Sequence, residues 1–205
     1  MQTTATQTGT ISGQLSTLAD IFATVALYAS TDPNKQALQL ATVNNYMIEA
    51  CDSFAAIRYE LNSEAYNATP DKFTLPANEI SKALTTANKV NGKQAEAQIT
   101  ATPSTWTLTT PAGIITGNNP QHETPNTAQI WADTQTKPAE PFSPISLTAW
   151  QLERIAKTAK QGKAKRDSIT TLTHYTNNMK PLIYTIETWQ GIIHILTMTA
   201  KPRSN

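Results

Sequence analysis

An α+β fold built from three copies of one β-α-β-β-β unit is predicted by three features of this sequence. Three segments carry apolar residues at helical spacing. Each is followed by three short runs that alternate apolar and polar residues, rich in the Thr, Ile, Tyr and Trp that suit a half-buried pleated surface. Each is preceded by one short apolar run, and the arrangement returns after roughly 65 residues, far longer than a solenoid period.

In the first unit "GTISG" leads into "QLSTLADIFATVALYAS". There Leu18, Ile21, Phe22, Val25 and Ala29 share one face, with Thr17, Asp20 and Thr24 opposite, and Pro33 closes the helix. The strands "QALQLATV", "YMIEAC" and "FAAIRYEL" follow, with a turn at "VNNY". In the second unit "KFTLPA" precedes "NEISKALTTANKVNG", whose stripe is Ile80, Ala83, Leu84 and Ala87. Gly92 stands just past its end, where a left-handed conformation suits glycine. Then come "AEAQITA", "STWTLTT" and "AGIITG", with a turn at "TPST". Gly117 to Pro144 is rich in Pro, Asn, Thr and Gln and reads as a long connector.

The third unit opens with "FSPISL" and "TAWQLERIAKTAKQG". Leu152, Ile155, Ala156 and Ala159 form its stripe, Gly162 stands past the end, and Thr148 with Gln151 fits a capping box. "SITTLTH", "KPLIYTI" and "GIIHILTM" are its strands. These boundaries predict a domain over 1–137, made of units at about 1–67 and 68–137 with the connector, and a third, half-domain unit over 138–205.

Of 205 residues, 39% are hydrophobic and 15% charged, enough for a core. No apolar run approaches the ~18–20 residues of a spanning helix. "MQTTATQTGTISGQ" lacks the basic start and apolar region of a secretory signal. The one cysteine, Cys51, has no internal disulfide partner and is expected to be a buried, reduced thiol of a cytoplasmic protein. The sequon at Asn67–Thr69 is then silent. A net charge of +1 argues against wholesale coating of nucleic acid and leaves room for a local basic face.

That basic face is concentrated. Of the 16 lysines and arginines, six (Arg154, Lys157, Lys160, Lys163, Lys165 and Arg166) lie between Glu153 and Arg166. At a hundred degrees per residue, Arg154 and Lys157 point away from the expected stripe, Lys160 lies on its flank, and the other three continue into the loop. The second helix sets Lys82 and Lys89 on its polar face, with Lys93 following, whereas the first carries Asp20 and no cation there. Glu153 is the only acid on the third helix, so pairing along the helix does not account for the cations. A solvated helix face and a surface for phosphates both fit.

No catalytic constellation is legible. His122, His174 and His194 are scattered, the last two expected on solvated strand faces, and no Cys/His pair has metal-ligand spacing. With 7 glycines there is no phosphate-cradling loop, and Asp52-Ser53 has no legible histidine partner. Trp106, Trp131, Trp150 and Trp189 suit either base stacking or core and interface packing. The expectation is a non-enzyme without cofactor or metal.

The phrases "YMIEACDSFAAIRYEL", "FTLPANEISKAL", "TPNTAQIW" with "KPAEP", "ISLTAWQLERIAKTAK" and "MKPLIYTIETWQGIIHILTM" resemble the bacterial DNA polymerase III beta subunit, the sliding clamp, and especially its short actinobacterial and phage type. The resemblance spans nearly the whole chain and is one of pattern. It implies a DNA-clamp-like fold of antiparallel sheets covered on one face by helices that line a hole for duplex DNA, in a phage or prophage-like replication protein. It implies a processivity factor, a homo-oligomer that binds duplex DNA without sequence specificity and takes peptides of a DNA polymerase and a clamp loader. On this reading Lys82, Lys89, Lys93, Arg154, Lys157, Lys160, Lys163, Lys165 and Arg166 face phosphates. Leu196 and Met198 are the candidates for a partner-peptide cleft, or else ordinary core and edge residues. The sequence departs from the pattern at Thr124, where the family usually has Phe before Pro125, and at Thr199, where it usually has Pro after Met198. The chain also has three units where a bacterial clamp has six; family rings contain twelve, so three per chain suggest a tetramer. An interaction module of clamp fold without a ring, and a small α+β enzyme with an illegible site, are the other readings.

Overall fold

The first unit folds as β1 (Gly9–Gln14), α1 (Leu15–Ala26), β2 (Leu40–Asn44), β3 (Met47–Cys51) and β4 (Ala55–Leu61). The computed structural model describes residues 8–62, 66–69, 72–120, 122–135, 147–164, 171–173 and 181–198. α1 begins without a side-chain cap. The Leu15 N–H instead donates to the Ala95 carbonyl at 2.7 Å, so its start is held by the second unit. Leu18, Ile21, Phe22 and Val25 are fully buried, as their spacing predicts. Thr24, expected on the polar face, is buried too, and its hydroxyl donates back to the Asp20 carbonyl at 2.7 Å. Gln36–Gln39, expected as strand, is a 3-10 turn. Asn45, at φ 51°, turns β2 into β3.

The second unit adds β5 (Tyr66–Ala68), β6 (Phe73–Pro76), α2 (Ala77–Asn91), β7 (Glu96–Ala101), β8 (Thr105–Thr110) and β9 (Gly113–Asn118). β5 has no apolar run and went unexpected. The α2 stripe is buried as predicted, and Gly92 follows it at φ 83°. The expected connector contains a helix, α3 (Thr127–Gln135), anchored by Trp131 at 1% exposure. The third unit supplies α4 (Ala149–Gln161), β10 (Thr171–Thr173), β11 (Pro181–Glu187) and β12 (Gly191–Met198). Gln151 Oε1 accepts the Thr148 N–H at 2.8 Å, the reciprocal half of the expected capping box. Most of "FSPISL", with Lys165, Arg166, His174 and Thr199, lies outside the described residues.

The units do not keep their first strands. β1 pairs with β7 of the second unit, and β6 pairs with β2 of the first. This reciprocal exchange yields two antiparallel sheets, β5-β1-β7-β8-β9 and β10-β11-β12-β4-β3-β2-β6. α1 packs on α2, on β1 and β7 of one sheet, and on β3 and β4 of the other, so the core lies between the helices and both sheets. The third unit enters through β12, which pairs with β4, and the larger sheet therefore runs unbroken across the boundary expected at 137–138. The alternation of β4 turns Ile57 and Tyr59 inward, and Ile193 and Ile195 of β12 do the same. Cys51 is buried and unpaired, and burial pushes its thiol up to about 11. No described helix is long and apolar enough to cross a membrane.

Gly191 starts β12 at φ 151°, and a Cβ there would collide with the Glu60 carbonyl of β4. Gly191→Ala is therefore expected to cost about 2–3 kcal/mol, read as a lower midpoint in urea unfolding. An unchanged midpoint would show that the β4–β12 pairing tolerates a side chain at its start.

Candidate nucleic-acid interface

α2 presents its cations as the sequence predicts. Ile80, Ala83, Leu84 and Ala87 face the core, while Lys82 and Lys89 are exposed and Lys93 stands in the turn beyond. Among the described residues these three lysines and Lys160 make no ion pair. Lys89 and Lys160 hold the same position in their units, each two residues past the last buried side chain of its helix, Ala87 and Thr158.

α4 departs from expectation. Its buried face is Gln151 and Thr158, with Arg154 and Ile155 half-buried, while Leu152 is 54% exposed and Ala156 is open to solvent. Of the apolar stripe read from the sequence, Ile155 and Ala159 pack against the main core, while Leu152 and Ala156 are left uncovered among the described residues. Beside Ile155 and Ala159 the inward face is polar where its partners are polar. Gln151 Nε2 donates to Thr197 Oγ1 at 3.0 Å and to the Met198 carbonyl at 2.6 Å, and the Thr158 hydroxyl meets Tyr28 OH at 3.0 Å. Burial pushes the Tyr28 phenol up to about 12 against the opposing pull of that hydrogen bond.

Arg154 does not point away from the molecule. Its Nη2 lies 2.6 Å from Asp52 Oδ2, its Nε donates to the Leu27 carbonyl at 2.7 Å, and its guanidinium stacks 4.4 Å from the Tyr28 ring centroid. Two further cations are also paired. Lys157 bridges to Glu153 one turn earlier at 2.8 Å, so pairing along the helix does occur, and Lys163 pairs with Asp20 of α1. Asp52 and Asp20 are distant in sequence, so no local signal marks them, whereas the i,i+4 spacing of Glu153 and Lys157 is legible in the sequence.

Asp52 is structural. Its Oδ1 accepts the N–H groups of Phe54 and Ala55 at 2.7 and 2.8 Å, closing the β3–β4 turn. A groove of about 470 Å³ lies beside it, walled by Asp32, Lys35, Phe54, Asn78 and Arg154. No cluster of three metal-ligating side chains occurs among the described residues.

On the other face of the larger sheet, Trp131 of α3 covers Cys51, Ala56, Ile183 and Leu196. Leu196 is 4% exposed and packs as core; Met198 is 38% exposed at the strand end. Around Trp131, Arg58 Nε donates to Glu49 Oε1 at 2.7 Å and Thr127 Oγ1 donates to Glu49 Oε2 at 2.6 Å. His194, expected on a solvated face, is mostly buried, with its ring edge-on to Trp131 at 6.5 Å. Burial holds its imidazole below the ordinary 6.5; Glu60, 3.6 Å away, pulls it back up and Arg58 pushes it down. Of the four tryptophans, Trp106 and Trp131 are core, whereas Trp150 and Trp189 are exposed.

Arg154→Ala is expected to lower stability by about 2–3 kcal/mol, because it strands Asp52 and the Leu27 carbonyl; thermal unfolding measures this, and a loss under 0.5 kcal/mol would return Arg154 to the solvated cations. The neutral form of His194 is favoured in the fold, so the unfolded chain takes up the proton first. Stability should therefore fall as pH drops below 6.5, and His194→Asn should remove that part of the loss. Parallel stability–pH curves for the two proteins, measured by chemical denaturation, would dismiss it.

No family model and no curated protein matches the chain. Solved structures do match. The beta subunit of DNA polymerase from Streptococcus pyogenes is 10% identical with a TM-score of 0.62, over 96% of this chain and 66% of that one. The DNA polymerase sliding clamp of Pseudomonas aeruginosa is 11% identical with a TM-score of 0.56, over 96% and 66%. PCNA of A. fulgidus, in its structure with the C-terminal region of FEN-1, is 8% identical with a TM-score of 0.59, over 96% of this chain and all of that one. This chain thus spans just under two thirds of those two bacterial chains and the whole of the A. fulgidus PCNA chain. Its two antiparallel sheets and few helices match the sliding-clamp fold of these structures.

Proposed function

We propose that this chain is a sliding-clamp-like processivity factor that encircles or tracks duplex DNA without sequence specificity and tethers a replicative polymerase. The observation that carries this reading is the placement of Lys89 and Lys160 at one position of two units whose helices both pack against α1. Lys82 and Lys93 add two more exposed cations that make no ion pair, charge suited to a phosphate backbone, and backbone contacts carry no sequence information. The role is that of a scaffold in the cytoplasm, without catalysis or cofactor. Partner peptides of a polymerase and a loader would meet the sheet near Met198, with Leu196 sealed beneath Trp131. The uncovered stripe of α4, Leu152 and Ala156, is where the helix of a further unit would seat, as α2 seats on α1. A ring of twelve units then takes four chains.

A second reading, an interaction module of the same fold without a ring, is favoured by the internal pairing of Arg154, Lys157 and Lys163. One experiment separates the two. Replacing Lys82, Lys89, Lys93 and Lys160 with Ala should leave the fold intact and flatten the salt dependence of duplex-DNA binding by about 0.9 in log–log slope for each phosphate no longer neutralised. Retention on a nicked circular duplex but not on a linear one identifies encirclement. An unchanged slope together with equal dissociation from both DNAs would support the module.

A further inference from the structure

β9 is an edge strand with none of the usual protection. It reads Gly-Ile-Ile-Thr-Gly-Asn, with no charge, no proline and Ile114 67% exposed, and among the described residues nothing pairs with its outer side. Such an edge is a template for another strand. The chain itself shows which strand. β3 and β4 face each other with Glu49 opposite Arg58, and β8 and β9 do so with Thr107 opposite Thr116. β11 and β12 repeat the geometry with Thr185 opposite His194. Arg58, Thr116 and His194 are therefore the same position in three units. Where β4 meets β12, Arg58 lies directly opposite His194. The junction joins two last strands and is locally two-fold about that position.

We infer that β9 pairs with β9 of a second copy of this chain, antiparallel and about a two-fold axis that sets Thr116 opposite Thr116 of the other copy. Of the three last strands, β4 and β12 satisfy each other, so β9 is the last strand left without its kind. Another copy's β9 repeats the last-strand-to-last-strand junction, which the other edges, β5, β6 and β10, would not. The backbone is ready for it. Asn119 N–H donates to the Ser104 carbonyl, so by alternation Gly113, Ile115 and Gly117 bond toward β8 while Ile114, Thr116 and Asn118 bond outward. The helix layer agrees. At the β4–β12 junction Tyr28, just past α1, touches Thr158 of α4. Aligning the buried stripes of α1 and α2, Leu18, Ile21, Phe22 and Val25 with Ile80, Ala83, Leu84 and Ala87, places Tyr28 on Val90. Val90 is 71% exposed, an apolar side chain where the second copy's α2 arrives. The contact is isologous, a self-complementary patch that joins chains in pairs. It needs no DNA, so it stands apart from the proposed role on DNA.

A cysteine tests the register. Directly opposed, hydrogen-bonded residues sit about 5.5 Å apart at Cα, within disulfide reach. Thr116→Cys in the full chain should give a disulfide-linked dimer under mild oxidation, while Thr109→Cys, exposed on β8, should not. Thr116→Pro removes an outward N–H that β8 does not use, so the chain should keep its circular-dichroism spectrum while light scattering shows mass falling by a factor of about two. No Thr116→Cys dimer, or equal crosslinking at Thr109, would overturn the two-fold pairing. So would a wild-type mass equal to one chain, or a Thr116→Pro protein that is folded and keeps the wild-type mass.

Discussion

The antiparallel pairing of β4 with β12 governs the rest of this molecule. It joins backbone segments more than a hundred residues apart and delivers the third unit to the first. Its register is set by burial rather than by any single strong contact. Ile57, Tyr59, Ile193 and Ile195 all point to the core, and a slip of one residue would turn each of them out. Once that register holds, α4 comes to rest beside α1. The Tyr28–Thr158, Arg154–Asp52 and Lys163–Asp20 contacts are then available. On the opposite face the same pairing assembles Ala56, Ile183 and Leu196 into a floor for Trp131.

The charge distribution follows from that placement. A helix seated by Gln151, Arg154 and Thr158 is stable only because each finds a partner, since an unmatched buried polar group would cost more than the contact gains. The outcome is a basic segment whose cations divide into two sets. Arg154, Lys157 and Lys163 bind the protein to itself, and Lys160 joins Lys82, Lys89 and Lys93 as free charge. On the proposed reading, in which topology would hold the chain on DNA, these few free cations suffice, because weak, non-specific phosphate contacts permit sliding.

Strand exchange explains why an odd number of units leaves unsatisfied surfaces. The first two units complete each other, through β1 on β7, β6 on β2 and α1 on α2. The third contributes its last strand to β4 and seats its helix by polar contacts together with Ile155 and Ala159, but Leu152 and Ala156 meet no such counterpart among the described residues. The outer edge of β9 is the other incomplete surface. Exposed apolar side chains and unpaired backbone are both relieved by association, and for a chain of this kind the nearest complementary surface is another copy.

The sequence by itself determined the elements of this protein. The stripes of α1 and α2, the strand order within the first two units, the glycine after α2 and the Thr148–Gln151 cap were all legible, because each is a pattern over a few neighbouring residues. α3 was not, since among its described side chains only Thr127 and Trp131 are buried, too few to mark a stripe. Tertiary structure alone decided which units exchange strands, which face of α4 turns inward and which cations remain free. The physical reason is that periodicity announces an apolar face without naming what covers it. Asp52, Asp20 and Tyr28 meet Arg154, Lys163 and Thr158 across more than a hundred residues of chain, and only the strand pairing that joins those distant segments could choose them.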